Sequence, residues 1–271
     1  MVEGKWTGKD LMRQELQFLF VSESDYRLIS LFWIGLAIAV LVTLLFFRAP
    51  YGRHERKGWG VRISARTGWV LMETIPAVFL SVMLLLGSNR EPVVLLFWAA
   101  WTAHYINRAW AWPARARISG KMMPLSIVFM ALFFNGVNTW LNGIWLFELA
   151  PNYGLEWLMD PRFIIGAIIF FTGMIINIKS DNILFALRDD GSTGYKIPKG
   201  GLFEKVSCPN YLGEIIEWTG WAIATWSLAG ATFAIWTACN LAPRALAHHK
   251  WYKKEFEEYP EDRKALVPFL L

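Results

Sequence analysis

Seven apolar stretches divide this chain, at 28–47, 69–87, 93–112, 124–147, 163–187, 211–228 and 230–247. Each is close to the roughly 20 residues that an α-helix needs to cross the hydrocarbon core of a bilayer. Water does not reach that depth, so each stretch must satisfy its own backbone hydrogen bonds, and a helix does so within one segment. The last two stretches meet at 227–230, where Gly230 and the combined length favour a tight helical hairpin over one long helix. The predicted fold is an all-α integral membrane protein, a bundle of seven transmembrane helices.

Loop charge orients that bundle. The first loop carries Arg48, Arg53, Arg56, Lys57, Arg62 and Arg66 against Glu55 alone. The third carries Arg115, Arg117 and Lys121 with no acid, whereas the 148–161 loop is acidic and the second loop is minimal. Cytoplasmic loops hold the excess of Lys and Arg. The odd-numbered loops are therefore expected in the cytosol, the N-terminus outside, and the C-terminus, with Lys250, Lys253 and Lys254, inside. No polar piece is large enough to bury a core of its own. Residues 1–271 thus read as a single membrane domain: an N-terminal arm (1–27), seven helices with cytosolic loops (28–247) and a cytosolic tail (248–271). Such a multi-pass protein belongs in the endoplasmic reticulum membrane of a eukaryote or the cytoplasmic membrane of a bacterium.

The net charge of +5 fits this topology. No basic run interleaved with aromatics sits on a soluble module, so nucleic acid is not an expected partner. Cys208 and Cys239 form no metal-like spacing or disulfide framework, and the adjacent His248 and His249 point different ways on a helix; no metal is expected. Among sixteen tryptophans, Trp69, Trp110, Trp112, Trp140, Trp145 and Trp157 lie near the ends of apolar blocks. There an indole suits the headgroup zone, or equally packs on a neighbouring helix. The start KWTGKDLMRQELQF lacks a basic leader and cleavage site, so the whole chain is expected to be the mature protein.

Four polar constellations interrupt the apolar pattern. The densest runs from 177 to 218, NIKSDNILFALRDDGSTGYKIPKGGLFEKVSCPNYLGEIIEW. Asn177, Asp181 and Arg188 fall at i, i+4 and i+11, nearly one side of a helix, and Asn210, Glu214 and Glu217 repeat the arrangement on the next. Ionised groups at membrane depth are rarely kept without a partner or a task. A large polar ligand at the cytosolic surface is expected. The loop between has turn chemistry and includes Tyr195, Lys196 and Lys199, but no GxGxxG or P-loop. A nucleotide would therefore be held at helix ends, with Arg and Lys on phosphates and Asn, Asp and Glu on ribose or amide groups.

Glu73, with Pro76 just after it, is an acid inside the second stretch, a functional candidate by default or else a structural hydrogen-bonding group. In the third stretch Trp101, Tyr105, Arg108 and Trp112 form one stripe at i, i+4, i+7 and i+11, with His104 a step around. Tyr105 alone could be a belt tyrosine. Paired inside one bundle, Glu73 and Tyr105 can together donate hydrogen bonds to a carbonyl oxygen, provided the carboxyl is protonated, as burial promotes. Arg244, His248 and Tyr252 at i, i+4 and i+8 make a fourth face, which closes over the same ligand or simply snorkels.

The blocks NIKSDNILFALR, YKIPKGGLFEKVSCPNYLGEIIEWTGWAIATWSL and HHKWYKKEFEEYPEDRKALVPFLL closely resemble the steroid 5α-reductases. The resemblance runs from about 69 to 271 and is weakest in the arm and first stretch. It implies an NADPH-dependent reduction of the Δ4 double bond of a 3-oxo-Δ4-steroid, a seven-helix fold and a bilayer as surroundings; the chain is expected to act as a monomer. On that resemblance Glu73 and Tyr105 grip the C3 carbonyl oxygen, and hydride arrives at C5. NADPH is held by Asn177, Asp181, Arg188, Tyr195, Asn210, Glu214, Arg244, His248 and Tyr252. Three residues depart from the family pattern: Met72 where animal enzymes have Gln, Lys179 for His, and Lys196 for Arg. The first touches steroid preference, and the lysines keep positive charge near the cofactor. Two alternatives stay open: a reductase of another conjugated lipid, such as an enoyl thioester, polyprenal or sterol, and a membrane carrier.

Overall fold

The structure, a computed structural model, describes residues 13–47, 58–151, 153–188 and 194–271. The first-loop charges at Arg48, Arg53, Glu55, Arg56 and Lys57, the first 12 residues of the arm and Asp189–Thr193 of the fifth loop lie outside the described residues. Among the described residues seven helices carry the fold. They are α1 (Glu23–Phe46), α2 (Ala65–Leu86), α3 (Pro92–Ile106), α4 (Leu125–Ile144), α5 (Pro161–Ala186), α6 (Pro209–Thr225) and α7 (Leu228–Glu255). Each helix lies largely on one apolar stretch, though 93–112 runs on past the end of α3 and 124–147 past that of α4. Among the described residues four segments are long and apolar enough to cross a membrane: α1, α2, α5 and Leu125–Leu149, which is α4 with its extension. Their outer faces leave large apolar side chains such as Phe32, Val78, Phe129 and Ile168 exposed, as a lipid-facing surface requires.

Local chemistry sets the helix starts. The Ser22 and Ser227 hydroxyls and the Asp160 carboxylate cap α1, α7 and α5 by accepting backbone N–H groups. Pro92, Pro161 and Pro209 open α3, α5 and α6, where a missing N–H is harmless. Asp160 also accepts two bonds from the Arg162 side chain, which hold its carboxyl down at about 2.

Helices α5 and α6 pack backbone to backbone. A Cβ on Gly173 would overlap the backbone of Glu217 and Gly213, and one on Gly220 would overlap that of Phe170. Small residues on both helices let the two backbones approach this closely. The contact brings the polar ends of α5 and α6 side by side. An aromatic core fills the centre of the bundle: Trp101 meets Trp218, Trp221 and Phe233, and Trp218 lies 4.0 Å from Phe233 between ring centroids.

Several local features differ from the sequence expectation. Residues Arg62–Ser64 (β1) and Met122–Pro124 (β2) form a short antiparallel pair, so the fold is not purely helical. The pair ties the start of α2 to the start of α4, in segments too short for periodicity to reveal. The α6–α7 hairpin is present, but Gly230 does not make the turn. Trp226 does, at φ 43, and Gly230 sits in the first turn of α7 with its N–H on Ser227 Oγ at 2.9 Å. Helix α7 runs on to Glu255, so the expected tail begins as two further helical turns. After α3 the chain passes through a π-helical turn, Asn107–Ala111, into the short helix Trp112–Arg115. Pro113 has no N–H to continue the α register, and the Trp112 N–H reaches back to the Asn107 carbonyl instead.

The tryptophans placed near block ends mostly pack. Trp140 donates to the Leu19 carbonyl, Trp145 to the Tyr153 hydroxyl and Trp157 to the Ala224 carbonyl, whereas Trp110 is half exposed.

Candidate functional site

Glu73 on α2 and Tyr105 on α3 line one cavity of about 180 Å³, together with His104, Arg108 and Glu214. Met72, Phe134, Phe233 and Trp236 give it an apolar side, and Asn135, Tyr211, Thr237, Asn240 and Arg244 also line it. Tyr105 is 3% exposed, its ring 5.2 Å from that of Trp101 and 4.9 Å from the His104 imidazole. Among the described residues nothing hydrogen-bonds the Glu73 carboxyl or the Tyr105 hydroxyl. Two groups without a hydrogen-bond partner, set beside that apolar side, suit a ligand that is mostly apolar and carries one carbonyl oxygen.

His104 is committed differently. Its Nδ1 lies 2.7 Å from Glu217 Oε1, with both side chains buried. The second Glu217 oxygen, Oε2, is buried without a hydrogen-bond partner. The sequence places His104 a step off the stripe and groups Glu217 with Asn210 and Glu214 in the polar set expected to meet a ligand; the structure pairs the two instead. Their separation of 113 residues hides the pairing, and only a buried acid on one helix and a buried imidazole on another hint at it.

A second cavity, about 280 Å³, adjoins the first and shares Trp69, Arg108, Tyr211 and Arg244 with it. Asp181, Arg188, Tyr195, Asn210 and His248 line it. Arg108 is the hinge between the two spaces. Its guanidinium lies 3.5 Å from Asp181 Oδ2 and over the rings of Trp69 and Trp112, at 4.9 and 5.5 Å. The π-helical turn shapes this arrangement: Arg108 stays on the first cavity with Tyr105, while Trp112 turns to the second and stacks on Trp69 at 4.5 Å. The expected four-residue stripe is therefore broken up: Tyr105 lines the first cavity, Arg108 both and Trp112 the second, while Trp101 packs in the aromatic core.

A third space, about 220 Å³, continues past Asp181, Arg188 and Tyr195 to Arg117, Lys196 and Tyr252. Arg188 lies just beyond the end of α5 rather than on its face, with its guanidinium 5.9 Å from the Tyr195 ring. Tyr252 reaches only this outer space, whereas Glu214 reaches only the inner one. Asn177 lines none of the three. Its Nδ2 donates to the Asn210 carbonyl at 3.0 Å, and Asn210 Nδ2 donates to Asp181 Oδ1 at 3.3 Å. Asn177 thus buttresses α6 against α5. His248 Nε2 lies 3.2 Å from the Tyr211 hydroxyl.

The C-terminal segment pins the loop that carries Tyr195 and Lys196. Arg263, 1% exposed, donates to the Pro198 carbonyl at 3.1 Å, and the Ser207 N–H donates to the Lys264 carbonyl at 2.8 Å. Ser207 Oγ lies 2.6 Å from both His249 Nδ1 and the Tyr259 hydroxyl. Burial, with Lys253, Lys264 and Arg263 nearby, pushes the His249 imidazole below its ordinary value, and burial pushes the Tyr259 phenol up. Among the described residues no group of three or more His, Cys, Asp or Glu is gathered as a metal site would be.

A family model described as 3-oxo-5-alpha-steroid 4-dehydrogenase matches residues 121–271. That segment holds Asn177 through Tyr252 and leaves Glu73 and Tyr105 outside it. Over 251 residues the chain is 42% identical to the steroid 5-alpha-reductase DET2 of Gossypium hirsutum, covering 90% of this chain and 96% of the relative. It is 41% identical over 244 residues to the 3-oxo-5-alpha-steroid 4-dehydrogenase 1 of Bos taurus, covering 88% and 93%. With the Homo sapiens protein of the same name it shares 44% over 224 residues, covering 81% and 85%.

Proposed function

The chain belongs to the steroid 5α-reductase family, and on that premise we propose that it reduces the Δ4 double bond of 3-oxo-Δ4-steroids with NADPH. The observation that carries the finer reading is the cavity that Glu73 and Tyr105 both line, neither of them hydrogen-bonded among the described residues, and which adjoins a cleft lined by Arg108, Arg188 and Arg244. A steroid suits the first space, with its carbonyl oxygen between the two donors.

The polar cleft fits a dinucleotide by its donor set. Arg188 and Arg244 supply charge for phosphates, Asp181 and Asn210 supply acceptors and an amide for ribose and carboxamide groups, and Glu214 adds an acceptor from the adjoining inner cavity. Tyr195, His248 and Tyr252 complete the walls, and Asn177 acts by holding Asn210. Lys196 and Arg117 at the outer end favour a 2′-phosphate, and so NADPH over NADH. Bound there, the reduced nicotinamide supplies a hydride to C5 of the steroid. The chain's own part is to stabilise the negative charge that then grows on the C3 oxygen. Glu73, as a neutral carboxyl, and Tyr105 each donate a hydrogen bond to it, and the enolate so held takes a proton at C4 to complete the 5α-product. The buried rings of Trp101 and Trp218 pack behind Tyr105 and His104 and hold that side of the site.

Purified protein in detergent is expected to turn over 3-oxo-Δ4-steroids with NADPH and to leave enoyl thioesters unreduced. The reverse preference would assign it to another conjugated lipid. Arg188→Ala should raise the NADPH concentration required by about tenfold, the scale of one charge-assisted contact, with steroid KM nearly unchanged.

The reading further takes all seven helices as crossing the bilayer in one domain, with the N-terminus outside and the C-terminus cytosolic. The alternating loop charge supports it. In sealed vesicles a cysteine at Glu156 and one at Lys253 should label from opposite sides. Labelling of both from one side contradicts the orientation.

A further inference from the structure

Helix α2 lacks one rung of its own hydrogen-bond ladder immediately beside Glu73. Pro76 lies inside the helix, and a proline has no N–H to give the carbonyl four residues back. That carbonyl belongs to Met72. At membrane depth a freed backbone group has to be satisfied by a neighbouring helix. Asn135 of α4 does this: its Nδ2 donates to the Met72 carbonyl at 2.7 Å. Asn135 is 6% exposed and Met72 5%, and both line the cavity that holds Glu73 and Tyr105. A second bond across helices, from Trp101 Nε1 to the Pro76 carbonyl at 3.2 Å, holds the same turn from α3.

We infer that Asn135 is a positioning residue for Glu73. Its amide replaces the hydrogen bond that Pro76 deletes, and so fixes the turn of α2 from which the carboxyl reaches the substrate carbonyl. The inference rests on the reading of Glu73 as a donor to that oxygen. Proline opens the turn toward the cavity, and asparagine sets where it comes to rest. The job needs a donor: leucine offers none, and an ionised aspartate would set an acceptor against an acceptor. A displacement of about 1 Å in a reacting group can cost about 10² in rate. The effect belongs in kcat, because the proposed NADPH contacts come from α5, α6, α7 and the fifth loop.

The test compares wild type, Asn135→Leu, Pro76→Ala, the double variant and Glu73→Ala for kcat, steroid KM, NADPH affinity and thermal unfolding in detergent. Asn135→Leu should lower kcat by about 10–10² while NADPH affinity stays within about twofold. Alanine at 76 returns an N–H to the Met72 carbonyl. In the Pro76→Ala background the Asn135 substitution should therefore lower kcat by no more than about threefold, a non-additivity expected of groups that share one partner. Wild-type kcat in Asn135→Leu overturns the inference, as do equal losses in both backgrounds. Should Asn135→Leu not fold, the double variant must, and failure of both to fold overturns it too. An active Glu73→Ala sinks the reading of Glu73 and this inference with it. An inactive Glu73→Ala beside an unaffected Asn135→Leu sinks the positioning role alone.

Discussion

Glu73→Ala and Tyr105→Phe are each expected to lower steroid turnover by about 10²–10³, the usual loss when one donor to a developing oxyanion is removed. Hydride arrival at C5 moves charge onto the C3 oxygen, so donors placed there act mainly on the transition state. NADPH affinity should survive both changes, because the proposed nucleotide contacts lie elsewhere, from Asp181 to Tyr252. Glu73→Gln separates two roles for the acid. Its amide still donates, so retention of part of the activity indicates a neutral, hydrogen-bonding Glu73, whereas a loss as deep as that of Glu73→Ala indicates a need for the acid itself. Steady-state kinetics with NADPH binding measured on the same preparations would decide it. Near wild-type rates in all three variants would remove Glu73 and Tyr105 from the site.

Gly173→Leu should be nearly as damaging by a different route. The new side chain would be driven into the backbone of Gly213 and Glu217 on α6. Overpacking of this kind costs about 1–3 kcal/mol when side chains can yield, and here the neighbour is backbone, which cannot. Separation of α5 from α6 would pull Asn177 off the Asn210 carbonyl and Asp181 off the Asn210 amide. Lower thermal stability and weaker NADPH binding are expected together. Gly136 on α4 is the internal control: nothing lies within 4 Å of a Cβ built there, so Gly136→Ala should leave both properties intact. Unchanged NADPH affinity in Gly173→Leu would show that the α5–α6 contact does not build the cofactor cleft.

Most of the architecture was legible from where apolar runs begin and end. Seven stretches became seven helices, and the hairpin between the last two is present, because length and hydropathy dominate the energetics of such a chain. What escaped was local. The π-helical turn at Asn107–Ala111 precedes Pro113, and no periodicity marks it. The β1–β2 pair is three residues a side, below the length at which alternation can be read. The turn between α6 and α7 is made by the left-handed Trp226, a bulky residue that turn chemistry does not point to, and not by Gly230.

The site was legible as a set of residue types and only partly as an arrangement. Glu73 and Tyr105 were named because an acid and a phenol at membrane depth ask for a reason, and they do share a cavity. Asn177 carried the same signal and instead buttresses a helix. His104 with Glu217, and Asn135 with Met72, are pairs between distant segments, which a single sequence cannot join.

The central claim is that this chain, as a steroid 5α-reductase, moves hydride from NADPH to C5 of a 3-oxo-Δ4-steroid. Its most direct test is isotopic. Purified protein is given a 3-oxo-Δ4-steroid and NADPH deuterated at the transferable nicotinamide position, and the product is read by mass spectrometry and NMR. The account predicts a 5α-reduced 3-oxosteroid with a single deuterium, at C5, and an unlabelled hydrogen added at C4. A product without deuterium at C5, or no reduction by folded protein that binds NADPH, would contradict it.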